Sequence, residues 1–98
     1  MQINKTPKGN SLTLELVGRL DTTTAPELEA VVKSELSGIE SLTFDLGNLE
    51  YISSAGLRVL LSAQKIMNKQ GAMTVTNCSE EIMEIFDVTG FTDILNIE

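Results

Sequence analysis

Residues 50–61 read Glu50-Tyr51-Ile52-Ser53-Ser54-Ala55-Gly56-Leu57-Arg58-Val59-Leu60-Leu61. The apolar run from Leu42 to Leu46 lies upstream of this stretch and predicts a strand that ends in a short loop. Ser53 and Ser54 then directly precede an apolar pattern of helical period, which places both serines at the N-terminus of a helix. Backbone N–H groups have no intrahelical partner there and the helix dipole is positive, so a hydroxyl can cap the helix and a phosphate is well accommodated. The residues alone leave two interpretations open: a helix cap, or a phosphorylation switch.

Predicted strands and helices alternate along the whole chain, and Gly and Pro separate them. Strands that alternate with helices favour an α/β fold with crossover connections, and an opening hairpin adds an antiparallel edge. We therefore expect one domain over residues 1–98, with a mixed, mainly parallel sheet of four to five strands flanked by three to four helices. The predicted elements are a weak strand near Ile3, a strand at Ser11–Val17, a helix from a capping box at Thr24 to Gly38, a strand at Ser41–Asp45, a helix from Ser54 to Gly71, a strand at Met73–Thr76, a helix from Ser79 to Gly90, a loose turn at Phe91–Asp93 and a short strand at Ile94–Ile97.

Composition restricts the class of partner. The net charge is −7, with acidic residues spread along the chain. Binding to nucleic acid or to an anionic membrane requires clustered Lys and Arg, so neither is predicted as a partner. The single cysteine, Cys78, excludes an intrachain disulfide and is predicted to be a small buried hydrophobe. The N-terminus lacks the apolar run of a signal peptide and no segment is long enough to span a membrane, so a cytoplasmic location is expected.

The usual catalytic residue patterns are absent from the sequence. The chain contains no histidine, which removes a Ser-His-Asp triad and any histidine-based metal site. It also lacks the glycine-rich phosphate loops and the G-x-S-x-G nucleophile elbow. We predict that the protein is not an enzyme and has neither a cofactor nor a bound metal. A metal-dependent enzyme that uses Asp21 and Asp45 is a remote alternative, which metal-induced thermal stabilisation would test.

The helix that follows Ser54 has a second surface of interest. Leu57 and Leu61 lie on the flank of the predicted core stripe and form a mixed apolar and polar strip with Gln64 and Asn68. An apolar patch with a polar rim often marks a protein contact, although a neighbouring helix could cover it instead. The core stripe itself consists of Gly56, Val59, Leu60, Ala63 and Met67.

Four segments resemble the STAS family of bacterial anti-sigma factor antagonists. They are Gly18-Arg19-Leu20-Asp21, Asp45-Leu46-Gly47-Asn48-Leu49, Tyr51-Ile52-Ser53-Ser54-Ala55-Gly56-Leu57 and Phe86-Asp87-Val88-Thr89-Gly90-Phe91. They occur in the family's order, and the resemblance as a whole covers essentially the full chain. The serine-glycine-leucine segment at the helix start is the most specific of the four.

The resemblance implies partner switching. In that family an anti-sigma factor, which is an ATP-dependent serine kinase, phosphorylates the serine at the helix start, and a serine phosphatase resets it. The unmodified antagonist binds the anti-sigma factor and frees sigma. Alignment on Gly-Leu places the phosphoacceptor at Ser54, with Ser53 as a minor alternative. The implied partner-binding residues are Asp21, Thr22, Thr23, Ser53, Ala55, Gly56, Leu57, Arg58 and Leu61.

One departure from the family pattern concerns kinase recognition. Many members carry Asp immediately before the acceptor, where this chain has Ser53, and Ala55 replaces a further hydroxyl residue. We predict an anti-sigma factor antagonist that phosphorylation of Ser54 switches off. The alternative is a STAS module in another pathway, as a scaffold or a small-ligand sensor.

Overall fold

The computed structural model describes all residues from Met1 to Glu98. Its four strands form one sheet in the order β1-β2-β3-β4, with β1 antiparallel to β2 and the other two pairs parallel. The mixed α/β architecture predicted from the alternation of elements is therefore confirmed. The elements are β1 (Gln2–Lys8), β2 (Ser11–Leu20), α1 (Ala25–Glu35), β3 (Ser41–Ile52), α2 (Ser54–Met67), β4 (Ala72–Thr76) and α3 (Glu80–Thr89), followed by one 3₁₀ turn at Phe91–Asp93.

The core lies against one face of the sheet. In β2, β3 and β4 buried residues alternate with more exposed ones from the start of the strand, as the period-two pattern of the sequence requires. The residues between them remain partly exposed, including Thr13, Thr43 and Thr74, which are register neighbours across three strands. The buried face packs against apolar residues of the helices in a single cluster that includes Leu14, Phe44, Val75, Leu28, Val32, Leu60, Ala63, Ile82 and Phe86.

Strand β3 is longer than the sequence pattern predicted. We expected it to end near Asp45 and to lead into a short loop, but it continues to Ile52. The pairing with β2 shifts register twice, so that Glu15 pairs with Asp45 whereas Leu20 pairs with Ile52. Such bulges break the alternation on which a sequence-based strand assignment depends. They also bring the ends of β2 and β3 side by side.

The predicted capping box at the start of α1 is wrong. Thr24 is the N-cap residue, but its hydroxyl makes no cap hydrogen bond to the helix. The hydroxyl instead donates to the carbonyl oxygen of Arg19 at 2.7 Å and accepts from the backbone N–H of Asp21 at 2.9 Å. Thr24 therefore closes the loop between β2 and α1 rather than the first turn of the helix.

The predicted final strand is also wrong. Only Ile97 pairs with the sheet, through an isolated parallel bridge to Val75. By contrast, the predicted cap of α3 is confirmed, because the hydroxyl of Ser79 accepts from the N–H of Ile82 at 3.3 Å. Cys78 lies at the junction of β4 and α3, as predicted, but it is only half-buried, and desolvation raises the pKa of its thiol.

Candidate functional site

The candidate site lies where β2 and β3 end next to each other. Leu20 and Ile52 are register partners, and the N–H of Ser53 donates to the carbonyl oxygen of Leu20 at 2.8 Å. Gly56, in the first turn of α2, packs directly on this pair. A Cβ at Gly56 would lie 2.6 Å from Cγ of Leu20 and 2.9 Å from Cγ1 of Ile52. The absence of a side chain at Gly56 therefore allows the start of α2 to sit against the two strand ends.

The two adjacent serines have different environments. Ser53 is the N-cap of α2 and is partly buried, and its hydroxyl accepts from the N–H of Gly56 at 3.4 Å. Ser54 is the first residue of the helix, is exposed, and makes no side-chain hydrogen bond. Ser53 is therefore the helix cap, while the hydroxyl of Ser54 is exposed and makes no hydrogen bond.

The same geometry limits the accommodation of a phosphate that the sequence suggested for the helix start. In the first turn the amides of Gly56 and Leu57 are already engaged and are not free to receive its oxygens. The N–H of Gly56 already donates to the hydroxyl of Ser53, and the N–H of Leu57 donates to the carbonyl oxygen of Ser53 at 2.9 Å. Other donors must therefore balance any charge added at Ser54.

Asp21 organises the loop beside the two serines. Its Oδ1 accepts from the hydroxyl of Thr23 at 2.7 Å, from the N–H of Thr23 at 3.0 Å and from the N–H of Thr24 at 3.2 Å. These hydrogen bonds, that from the Thr23 hydroxyl first, hold the pKa of the Asp21 carboxyl below its ordinary value because they favour the ionised form. A fixed negative charge therefore lies in the loop next to the start of α2.

The structure exposes only some of the predicted partner-binding side chains. Thr22, Thr23 and Arg58 are exposed. The predicted residues that are partly exposed are Asp21, Ser53, Ala55 and Leu61.

The two remaining predicted residues, Gly56 and Leu57, are buried, and Leu57 is only 5% exposed. The prediction of Leu57 as part of an exposed contact strip is therefore wrong. The buried arc of α2 is wider than the predicted stripe, because the helix packs both on the sheet and beside α1.

A groove of about 350 Å³ separates α1 from α2. On the α2 side the predicted residues Ala55 and Arg58 line it, and Thr22 lines it from the β2–α1 loop. The other lining residues were missed by sequence reasoning because only tertiary packing brings α1 against α2; they are Ala25, Pro26, Glu29, Val59 and Ser62.

Arg19 and Tyr51 form a second feature that sequence reasoning missed. They are register partners in β2 and β3, and the guanidinium of Arg19 lies 4.5 Å from the centre of the Tyr51 ring. Nε of Arg19 lies 3.9 Å from Oδ2 of Asp21. Tyr51 is one of the few large apolar side chains that remain exposed, at 38%. Arg and aromatic side chains are enriched at the centres of protein interfaces, so this pair extends the candidate contact surface.

Comparison with known proteins identifies the fold and its family. A family model described as STAS domain matches residues 2–98. The chain belongs to the STAS domain family. Among curated relatives, the chain is 36% identical over 84 residues to a protein named putative anti-sigma factor antagonist BtrV from Bordetella bronchiseptica, covering 84% of this chain and 72% of the relative. It is 34% identical over 90 residues to the anti-sigma-B factor antagonist of Bacillus subtilis, covering 90% of this chain and 82% of the relative.

Solved structures show the same STAS fold at lower identity. An anti-sigma factor antagonist from Mycobacterium paratuberculosis superimposes with a TM-score of 0.88 at 20% identity, over 98% of this chain and 83% of that one. The phosphorylated form of the Bacillus cell fate determinant SpoIIAA superimposes with a TM-score of 0.77 at 14% identity, over 99% of this chain and 91% of that one. The relatives are thus regulatory proteins of one fold.

The remaining acidic candidate of this STAS domain, Asp45, serves a structural role. Its Oδ1 accepts from the N–H of Gly47 at 3.0 Å and from the side-chain amide of Asn77 at 3.1 Å, which joins β3 to the segment after β4. No group of three or more His, Cys, Asp or Glu side chains is placed to hold a metal ion. None of the three helices is both long and apolar enough to cross a bilayer.

Proposed function

We propose that this STAS domain is an anti-sigma factor antagonist. Its unmodified form binds an anti-sigma factor and so releases a sigma factor, and phosphorylation of Ser54 switches this binding off. The curated relatives carry the name of this activity, which supports the assignment. The observation that carries the switch is the contrast between two neighbouring hydroxyls: that of Ser53 is used as a helix cap, while that of Ser54 is exposed and unbonded.

The proposal extends to the enzymes that act on the switch. The anti-sigma factor is an ATP-dependent serine kinase that modifies Ser54, and a serine phosphatase restores the hydroxyl. The STAS domain itself is the substrate of these enzymes and catalyses no reaction. All three proteins act in the cytoplasm.

The proposed docking surface surrounds Ser54. It comprises the exposed and partly exposed residues of the β2–α1 loop and of the first two turns of α2, together with the Arg19–Tyr51 pair. This surface consists of Arg19, Asp21, Thr22, Thr23, Tyr51, Ser53, Ser54, Ala55, Arg58 and Leu61.

Electrostatics explains how a phosphate would end the complex. Phosphorylation adds about −1.5 to −2 charges at neutral pH. The new charge would appear in the middle of the docking surface, beside the ionised carboxylate of Asp21. A partner surface that fits a neutral hydroxyl would then face an unpaired, desolvated dianion, which is strongly unfavourable. The domain needs no change of fold for this effect.

The test compares two substitutions at Ser54, one that stays neutral and one that adds a negative charge. Ser54→Ala should bind the anti-sigma factor as the unmodified protein does and should gain no phosphate, by intact mass, after incubation with that kinase and ATP. Ser54→Asp should bind at least about tenfold more weakly, since a charge buried without a partner costs well over 1.4 kcal/mol. Ser34→Asp is the matched control, because Ser34 is an exposed serine in the last turn of α1, at the other end of the sheet.

Two outcomes would contradict the proposal. Equal binding by Ser54→Ala and Ser54→Asp would show that charge at Ser54 does not control association. If the wild-type protein gains no phosphate mass after incubation with kinase and ATP, a role as a scaffold or small-ligand sensor in another pathway would be favoured.

A further inference from the structure

Arg58 has no partner in the unmodified protein. The structure contains three ion pairs within 4 Å, and Arg58 takes part in none of them. Its guanidinium also donates no hydrogen bond, although it borders the groove between α1 and α2. Glu29, the acidic residue on the opposite wall, is paired with Lys33 at 3.2 Å. Arg58 is therefore an exposed cation available to a new anion.

Helix geometry directs this cation towards Ser54. Arg58 follows Ser54 by four residues in α2, and residues at this spacing are neighbours on a helix surface, with Cβ atoms roughly 5–6 Å apart. Long side chains in helices point back towards the N-terminus, so the guanidinium of Arg58 can reach the turn that contains Ser54. Both residues are exposed, so no packed side chain has to move for them to meet.

The charges around Ser54 leave Arg58 as the cation best placed to contact a phosphate. The first turn of α2 contains no acidic residue that would compete for the guanidinium. From the neighbouring loop Asp21 contributes a negative charge, and Arg19 is stacked on Tyr51 at 4.5 Å and lies 3.9 Å from that same carboxylate. The N–H groups of Gly56 and Leu57 are already bonded to Ser53.

We infer that Arg58 binds the phosphate of phosphorylated Ser54 within the same molecule. The inference rests on the proposed function, because it assumes that Ser54 carries a phosphate. A guanidinium presents two parallel N–H donors that match two phosphate oxygens, which makes this contact stronger than a simple charge attraction. Phosphorylation then alters the docking surface twice: it adds negative charge at Ser54, and it draws Arg58 away from the wall of the groove that a partner would contact.

The test uses protein that carries phosphoserine at position 54, introduced during translation, so that neither kinase nor anti-sigma factor is required. The second ionisation of the phosphate is followed by ³¹P NMR as the pH is raised, in wild type, Arg58→Gln and Arg58→Lys. In Arg58→Gln the titration midpoint should rise by about 0.7 pH units, the shift expected for unit opposite charges roughly 4 Å apart in water. Arg58→Lys should give a smaller rise, because it keeps the charge but loses the paired donors.

Lys65→Gln provides the matched control on the same helix. Lys65 is exposed, and its removal deletes the same charge roughly 16 Å along the axis from Ser54, beyond the screening length at physiological salt. Its midpoint should equal that of wild type. As a second readout, the Nε–H resonance of Arg58 should shift between the unmodified and the phosphoserine protein.

An identical midpoint in wild type and Arg58→Gln, with an unshifted Arg58 resonance, would overturn the inference. That result would leave the proposed function intact, since binding by Ser54→Ala and Ser54→Asp tests it separately. If instead the midpoint rises in Arg58→Gln but Ser54→Ala and Ser54→Asp bind the anti-sigma factor equally well, the intramolecular contact forms but does not belong to an anti-sigma switch.

Discussion

Substitution of Gly56 is the perturbation whose effect follows most directly from the structure. A Cβ at this position would lie 2.6 Å from Cγ and 2.9 Å from Cδ2 of Leu20, and 2.9 Å from Cγ1 of Ile52. Both neighbours are buried at the top of the core, so neither side chain can swing into solvent. Overpacking of this kind costs about 1–3 kcal/mol.

Two opposing effects set the net change for Gly56→Ala. Alanine is favoured over glycine in a helix interior by up to about 1 kcal/mol, but Gly56 is in the first turn, where the gain is smaller. We therefore expect Gly56→Ala to lower the free energy of unfolding by about 1–2 kcal/mol. For a domain of this size that corresponds to a fall in Tm of roughly 5–15 °C. Gly56→Val adds two further methyl groups to the same contact and should cost about 3 kcal/mol.

Urea denaturation followed by circular dichroism measures these changes, and a double-mutant cycle assigns their cause. Leu20→Ala removes Cγ and Cδ2, the two Leu20 atoms that the new Cβ would meet, at its own cost of about 2–5 kcal/mol. If the contact is responsible, Gly56→Ala combined with Leu20→Ala should destabilise the domain by at least about 1 kcal/mol less than the sum of the single changes. Stabilities of Gly56→Ala and Gly56→Val both within about 0.5 kcal/mol of wild type would refute the packing argument.

Three further predictions concern the loops around Ser54. Ser53→Ala removes the N-cap of α2 and should lower the free energy of unfolding by about 0.5–1 kcal/mol in urea denaturation, whereas an unchanged midpoint would mean that the 3.4 Å hydrogen bond contributes nothing. Asp21→Asn should be less stable than wild type at neutral pH. Because hydrogen bonds lower the folded-state pKa of Asp21, its stabilisation is present above the ordinary carboxyl pKa and disappears as the pH falls through the lowered value. Thermal unfolding curves of the two proteins should therefore converge in acid, and a stability difference independent of pH would contradict this. Tyr51→Ala should weaken binding to the anti-sigma factor by about tenfold in calorimetric titration. Tyr51→Phe keeps the ring beneath Arg19 and should bind as wild type does. Equal affinities for wild type, Tyr51→Ala and Tyr51→Phe would exclude the Arg19–Tyr51 pair from the interface.

The elements that the sequence predicted well are those governed by local chemistry. The period of apolar residues identified three strands and three helices, and Ser79 was recognised as the cap of α3 from its position alone. Thr24 had the same apparent signature at α1, yet its hydroxyl bonds to Arg19 and Asp21 instead. Capping chemistry identifies where a helix begins, but a nearby loop can compete for the same side chain.

The surface of the site was harder to predict, because exposure depends on neighbours that are distant in sequence. Leu57 and Leu61 have similar positions on the flank of α2, but Leu57 is buried and Leu61 is partly exposed. Arg19 and Tyr51 lie 32 residues apart and meet only because two bulges set the register between β2 and β3. No local pattern carries that information.

The sequence itself determined the order of elements, the single buried face of each strand and the pair of serines at the start of α2. These features depend on side-chain period and on backbone groups within one turn of helix. Tertiary structure decided which serine is free. Gly56 lets α2 approach the paired ends of β2 and β3, the hydroxyl of Ser53 is then taken up as the helix cap, and that of Ser54 is left facing solvent. The physical reason is that a cap forms through local hydrogen bonds, whereas accessibility is set by whatever the rest of the chain packs nearby.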